Sequence, residues 1–179
     1  MSWRVFRKNR IRALESAMES RKVDEHISGL LKAISKNEKL ATLSSCSGRI
    51  FLAKQKIGKA SPNGYYRIWH KADREEIELA LSGYALKQPL WFVVEPFTLS
   101  IAAKDVEGAF SFTRKMERRG VRCSMSEKQG RVDVEAKGPF GMGFPVNPVE
   151  GQWDGIVDIA NRLMDANLAL LKKLEKTRW

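Results

Sequence analysis

Leu90-Trp91-Phe92-Val93-Val94 is apolar at every position. Such a run has no side that water would tolerate, so it reads as a central strand covered on both faces. Covering both faces of a sheet takes helices, and the flanking sequence supplies them. A short helix is predicted from Asp73 or Arg74 to Ser82, with Gly83 as its stop. After the run, Phe97-Thr98-Leu99-Ser100-Ile101 alternates as a strand. Asp105 then caps a helix whose predicted stripe is Val106, Ala109, Phe110, Thr113 and Met116. Gly120 ends it. Residues 121–126 and 131–136 read as two further strands, joined at Lys128-Gln129-Gly130. The fold class that follows is α/β, a single domain over residues 1–179. Its sheet is expected to be mixed and twisted, with βαβ units at 64–95 and 97–126 paired parallel within each unit.

Glu95-Pro96 ends the apolar run. A carboxylate there is costly unless it is paired or opens into a crevice, where α/β sheets bind their ligands. Glu95 is therefore either a site residue or a carboxylate held by a backbone group or an arginine. Further on, Pro139, Gly141, Gly143 and Pro145 make residues 138–148 an irregular connection. The last helix, residues 152–176, braces the sheet. Trp153, Ile156, Val157, Ala160, Leu163, Met164, Leu168, Leu171 and Leu174 keep the helical period, and Asn167 lies on the same stripe. A buried amide must find partners, so Asn167 fixes a backbone or faces a site.

Upstream of the apolar run, Ser61-Pro62-Asn63-Gly64 is strong turn chemistry and makes residues 49–69 a hairpin. Lys54, Lys56 and Lys59 lie near its tip; Tyr65, Tyr66, Trp69 and His70 follow. Aromatic faces stack on unpaired bases while cations hold the backbone, although strand aromatics are also ordinary core. Before it stands Leu43-Ser44-Ser45-Cys46-Ser47-Gly48-Arg49-Ile50. It reads as a turn between short strands at 40–43 and 50–53, with Gly48 free to take a positive φ. Either it is a solvated serine-rich turn, or its amides and hydroxyls form an anion site that Arg49 completes. A phosphate loop would need a following helix, and a phosphatase loop more residues between Cys46 and Arg49. Neither fits.

The chain opens with a basic amphipathic helix near residues 4–19. Phe6, Ile11, Leu14 and Met18 form one side, and Arg4, Arg7, Lys8, Arg10 and Arg12 supply the charge. A second helix follows, with Asp24 acidic near its start, Val23, Ile27, Leu30, Leu31 and Ile34 on its apolar stripe and His26 at the surface. In all, 32 Lys+Arg against 21 Asp+Glu give a formal charge of +11, which favours a polyanionic partner such as nucleic acid. Two cysteines, Cys46 and Cys123, make no disulfide framework and show no zinc spacing. No apolar run approaches a membrane span and no secretory signal opens the chain, so a cytoplasmic protein is expected.

The order Ser44-Ser45-Cys46-Ser47-Gly48-Arg49-Ile50, His70, Glu95-Pro96-Phe97, then Ala160-Asn161 and Asn167, resembles the tRNA wybutosine-synthesizing protein 3 family over nearly the whole chain. The resemblance implies a methyltransferase that uses S-adenosylmethionine and no metal. Its substrate would be ring nitrogen N4 of the tricyclic guanosine derivative at position 37, in the anticodon loop of phenylalanine tRNA. Ser45, Ser47 and Arg49 would then hold the donor, and His70 or Glu95 would take the proton. Lys54, Lys56, Lys59, Trp69, Arg122, Ser124 and Asn167 would serve the tRNA. Two positions depart from the family pattern. Ser100 stands where a histidine is usual, and Met125 where a glycine follows the Arg-x-Ser of Arg122 and Ser124. The glycine-rich donor loop common among adenosylmethionine enzymes is also absent. Two rival readings of the same residues are a non-catalytic RNA-binding module and thiol chemistry at Cys46.

Overall fold

The computed structural model describes residues 1–53, 64–68, 71–82, 90–146 and 153–179. In order the elements are α1 (Trp3–Glu19), α2 (Glu25–Ser35), β1 (Leu40–Ala53), β2 (Gly64–Ile68) and α3 (Arg74–Ser82). They are followed by β3 (Leu90–Ala103), α4 (Val106–Glu117), β4 (Arg122–Lys128), β5 (Arg131–Lys137), β6 (Met142–Val146) and α5 (Trp153–Glu175). The strands form one six-stranded sheet in the order β2-β1-β3-β5-β4, with β6 also on β3. Helices and strands are interspersed along the chain, with α3 and α4 each standing between two strands, as the α/β reading expects.

The expected parallel pairing is corrected. β3 pairs antiparallel with β5, and β5 antiparallel with β4. The two strands joined by α4 therefore run the same way, but β5 lies between them. A two-residue turn, Gln129-Gly130, folds β5 straight back onto β4, and Gly130 takes the φ of 74° this needs. β5 thereby occupies the slot that a parallel partner would have taken. In the same way β1 separates β2 from β3, pairing antiparallel with β2.

Two further corrections concern continuity. The serine-rich stretch is no turn: β1 is one strand of 14 residues that passes through Gly48 at φ 106°. β3, also 14 residues, passes through Pro96. Its ladder with β6 covers Leu90–Val94 and its ladder with β5 begins at Thr98, so the missing N–H of Pro96 interrupts neither. The stretch read as an irregular connection contains β6. Its Pro145 is tolerated because β6 is an edge strand.

The chain divides into two compact units. Unit 1 comprises Met1–Ser47, Phe97–Pro139 and Asn167–Trp179; unit 2 comprises Gly48–Pro96 and Phe140–Ala166. In unit 2, Leu90, Phe92 and Val94 lie in a core with Ile50, Leu52, Ile68, Ile77, Trp153, Val157, Ala160 and Met164. Val93 points to the other face, with Phe51 and Ala53. The apolar run is thus covered on both sides, as its composition demands. Gly141 closes in on this strand; a Cβ there would lie 2.7 Å from Pro96 Cδ and 2.9 Å from the Val94 carbonyl.

In unit 1, Ile27, Leu30, Leu31 and Ile34 of α2 are buried, as are Leu99, Ile101, Val134 and Ala136 of the sheet. On α4 the inward stripe is Ala109, Phe112, Thr113 and Met116. Val106 and Phe110, expected inside, are 56% and 49% exposed. Phe112 is inward instead, its ring tilted against Trp179 with centroids 5.2 Å apart. Nothing on α1 is fully buried. It is tied down by polar contacts: Trp3 donates to the Glu38 carbonyl, and Arg7 to the carbonyls of Ser35, Asn37 and Leu40. Arg10 donates to the carbonyls of Thr42 and Leu43.

Candidate functional site

Cross-strand register decides which side chains share a face, because residues directly opposite point the same way. In unit 1, Thr98 stands opposite Lys137, which stands opposite Arg122. Two residues along, Ser100 stands opposite Glu135, which stands opposite Ser124. The other face of these strands carries Leu99, Val134 and Ala136, all buried. The polar face opens into a cleft of about 570 Å³ lined by these six side chains together with Ser44 of β1 and Cys123. One row is therefore cationic and the next acidic, and hydroxyls flank both. Burial, and secondarily the charge of Glu117, pushes the Cys123 thiol up to about 11. At neutral pH it is a protonated thiol without thiolate character, on the strand face that Ala136 shares rather than the one carrying Arg122 and Ser124.

Three stretches that are remote in sequence meet here: the serine string through Ser44, the strand after Glu95-Pro96 through Thr98 and Ser100, and the Arg122/Ser124 pair. Both departures from the family pattern fall on this region. Ser100 lines the cleft itself, and Met125, the residue after Ser124, is exposed. Glu135 and Lys137 were not identified from the sequence. The strand alternation placed 131–136 in the sheet, but only the β3-β5 and β4-β5 registers reveal that they stand between Ser100/Ser124 and Thr98/Arg122.

Ser47 has a different neighbourhood. It is 1% exposed, and its hydroxyl donates to Asp24. The other Asp24 oxygen accepts from the His26 amide and so caps α2. Ser45 is half-buried. Asn167 is fully buried in unit 1; a Cβ on Gly138 would lie 3.0 Å from its Oδ1 and 2.7 Å from the Phe97 ring. Gly138 thus permits a close approach of backbone to the buried amide.

Unit 2 holds the second polar group. Arg49 Nε donates to Glu95 Oε2 at 2.7 Å, with side chains only 24% and 27% exposed. The guanidinium also lies 5.6 Å from the Phe51 ring centroid. Glu95 is thus held by an arginine, and the pair is partly desolvated. On α5, Asn161 clasps Ala72 with both ends of its amide. Its Nδ2 donates to the Ala72 carbonyl at 2.7 Å and its Oδ1 accepts from the Ala72 amide at 2.9 Å. Trp69 and His70, like Lys54, Lys56 and Lys59, lie outside the described residues.

Of the basic segments, α1 keeps Arg4, Lys8 and Arg12 exposed, whereas Arg7 and Arg10 turn inward to carbonyls. At the other terminus Lys172, Lys173, Lys176 and Arg178 are exposed. Among the described residues no cluster of His, Cys, Asp and Glu could hold a metal ion, and no helix is long and apolar enough to cross a membrane.

A six-stranded α/β sheet with a charged cleft on one face and a fixed arginine–glutamate pair is the frame of a ligand-handling enzyme. The chain belongs to the methyltransferase TYW3 family, whose profile it matches over residues 6–177. It is 30% identical over 179 residues to a Pyrococcus horikoshii protein named tRNA(Phe) 7-((3-amino-3-carboxypropyl)-4-demethylwyosine(37)-N(4))-methyltransferase 1; the match covers 94% of this chain and 91% of that one. A Thermococcus kodakarensis protein of the same name is 28% identical, with coverage of 91% and 87%. An Archaeoglobus fulgidus methyltransferase of this kind is 31% identical over 110 residues, where the match spans 61% of this chain and 56% of that one. A solved Pyrococcus horikoshii structure superposes with a TM-score of 0.88 at 26% identity, covering 98% of this chain and 93% of its own.

Proposed function

We propose that this protein methylates ring nitrogen N4 of the 4-demethylwyosine-type base at position 37 of phenylalanine tRNA, with S-adenosylmethionine as donor. The observation that carries the reading is the family match across residues 6–177, joined to a cleft where three of the motif-bearing stretches meet. That match also favours a catalyst over a non-catalytic RNA-binding module.

S-adenosylmethionine, when bound, supplies an electrophilic sulfonium methyl. The transfer forms an N–C bond, breaks the S–C bond and releases the nitrogen's proton. The chain must therefore align two partners, exclude water and accept one proton. Glu95 or His70 is the acceptor in this reading, and Arg49 fixes the Glu95 carboxylate in one orientation. Ser45 and Arg49 offer polar groups to donor or base, while Ser47 works through Asp24 and the start of α2. Arg122, Ser124 and Ser100 offer donors in the cleft, which fits a ligand with a carboxylate group. Asn167 is fully buried, with the Gly138 backbone close to its Oδ1.

The tRNA brings phosphates with its base. Arg4, Lys8, Arg12, the lysines at 54, 56 and 59, Trp69 and the basic C-terminus are the groups proposed to hold the anticodon loop. The work is done in the cytoplasm. The test is incubation of purified protein with labelled S-adenosylmethionine and phenylalanine tRNA carrying the demethylated tricyclic base. Label should appear in that nucleoside, at N4 by mass spectrometry. No transfer to this precursor would end the proposal.

A further inference from the structure

Like charges directly opposite one another on neighbouring strands destabilise a sheet. Arg122 and Lys137 are such a pair, and both are exposed. Nothing neutralises them: among the described residues neither takes part in an ion pair, and Glu135, two residues away on the same face, is not paired either. Three charged side chains thus stand in one cleft, two positive in one row and one negative in the next, with none satisfied by another. The rows are two residues apart along each strand, roughly 7 Å. Thr98 flanks the cationic row, Ser100 and Ser124 flank the acidic one, and Ser44 also lines the cleft.

An anion alone would meet Glu135 as a repulsive neighbour, and a cation alone would meet Arg122 and Lys137. A group bearing an ammonium and a carboxylate on one carbon satisfies all three. We propose that this cleft binds an α-amino acid group, its carboxylate on Arg122 and Lys137 and its ammonium on Glu135 and the hydroxyls of Ser100 and Ser124. The inference rests on the methyl-transfer reading, which supplies such a group twice. The substrate named for the relatives carries a 3-amino-3-carboxypropyl arm, and the methionine end of adenosylmethionine is the same group. The shared chemistry is an amino acid zwitterion on a three-carbon arm.

The test uses the full chain and the exposed-residue variants Arg122→Ala and Glu135→Ala, with circular dichroism to confirm folding. Titration calorimetry measures S-adenosylhomocysteine, which has the amino acid end, and methylthioadenosine, which lacks it. Kinetics are measured with tRNA whose base carries or lacks the arm. If the cleft holds the donor's arm, both variants weaken S-adenosylhomocysteine by about tenfold or more, the scale of a lost charge-assisted hydrogen bond, and leave methylthioadenosine unchanged. If it holds the base's arm, S-adenosylhomocysteine binding is unchanged while KM rises by a similar factor for arm-bearing tRNA alone. Either result supports the site. Variants that alter neither ligand, or that weaken the ligands with and without the arm alike, overturn it. A parent protein that neither binds S-adenosylhomocysteine nor methylates tRNA overturns the methyl-transfer reading itself; an active parent with indifferent variants overturns only the cleft assignment.

Discussion

Asn161 holds Ala72 by a reciprocal pair of hydrogen bonds, amide to carbonyl at 2.7 Å and carbonyl to amide at 2.9 Å. A side-chain amide thereby mimics a neighbouring strand for one residue of backbone. Ala72 is two residues past His70, and it is buried in the unit 2 core beside Ala160. Asn161 is therefore placed to fix the backbone at Ala72, at the start of the segment that leads into α3.

That relationship gives the first prediction. Asn161→Ala leaves one partly buried N–H and one C=O of Ala72 without a partner, a loss of about 1–3 kcal/mol. Asn161→Asp should be nearly as damaging, since a carboxylate cannot donate to the Ala72 carbonyl. Denaturant unfolding would read the stability. Methyl transfer should fall in kcat more than in KM for tRNA if His70, two residues before Ala72, is the proton acceptor; an unchanged kcat would show that the clasp serves stability alone.

The Arg49–Glu95 pair yields a second. Both side chains keep about a quarter of their exposure, so their coupling in a double-mutant cycle should be modest, roughly 1 kcal/mol. The activity cost should be disproportionate. Glu95→Gln retains the shape and removes the charge, and transfer should drop by about 100-fold or more if Glu95 accepts the proton. A Gln variant with parental kcat would assign that role to another group, His70 being the named rival.

Cys123 gives a pH prediction. Its thiol is raised from the ordinary 9.0 to about 11 by burial and by Glu117. The folded state thus keeps a proton that the unfolded chain releases earlier, so this contribution to stability is complete below about 9 and is lost as pH rises toward 11. The same shift makes alkylation of Cys123 slow at pH 8 in the native protein, because the thiolate is the nucleophile. Mass-resolved iodoacetamide labelling of native and urea-unfolded protein would check it; equal rates would contradict the burial argument.

What the sequence made legible follows from the strength of each local signal. Leu90 to Val94 has one stable placement, between two apolar layers, and it is there. The period of α5 holds from Trp153 to Leu174 with the expected side inward. Pairing direction was not legible, because a helix between two strands makes them run the same way without making them neighbours. The Gln129-Gly130 turn and the insertion of β5 decide that, and they are tertiary facts. Gly48 and Pro96 read as punctuation, yet a strand can absorb a positive φ at glycine and a proline between two ladders. For the site, residue types were visible but company was not. Arg122 and Ser124 could be named, whereas Glu135 and Lys137 gain meaning only from register. Ser47, one of three similar serines, differs only because Asp24 is next to it in space.

The final prediction separates two kinds of arginine on α1. Composition alone makes Arg4, Arg7, Lys8, Arg10 and Arg12 one basic face. Structure divides them. Arg7 and Arg10 donate to five backbone carbonyls between Ser35 and Leu43, anchoring a helix that buries no residue fully. Arg4, Lys8 and Arg12 are exposed. Arg10→Lys keeps the charge but loses the planar fork that reaches two carbonyls, so it should lower stability by about 1–2 kcal/mol and leave the salt dependence of tRNA binding as it was. Replacing Arg4, Lys8 and Arg12 together by Gln should do the reverse. Stability should stay within about 0.5 kcal/mol, while log affinity against log salt should flatten by about 2, from three lost phosphate contacts on a single-stranded loop. Filter binding across a salt series, beside urea melts, measures both quantities. If the triple variant binds tRNA with the parental slope, the outer face of α1 is solvated and takes no part in holding the substrate.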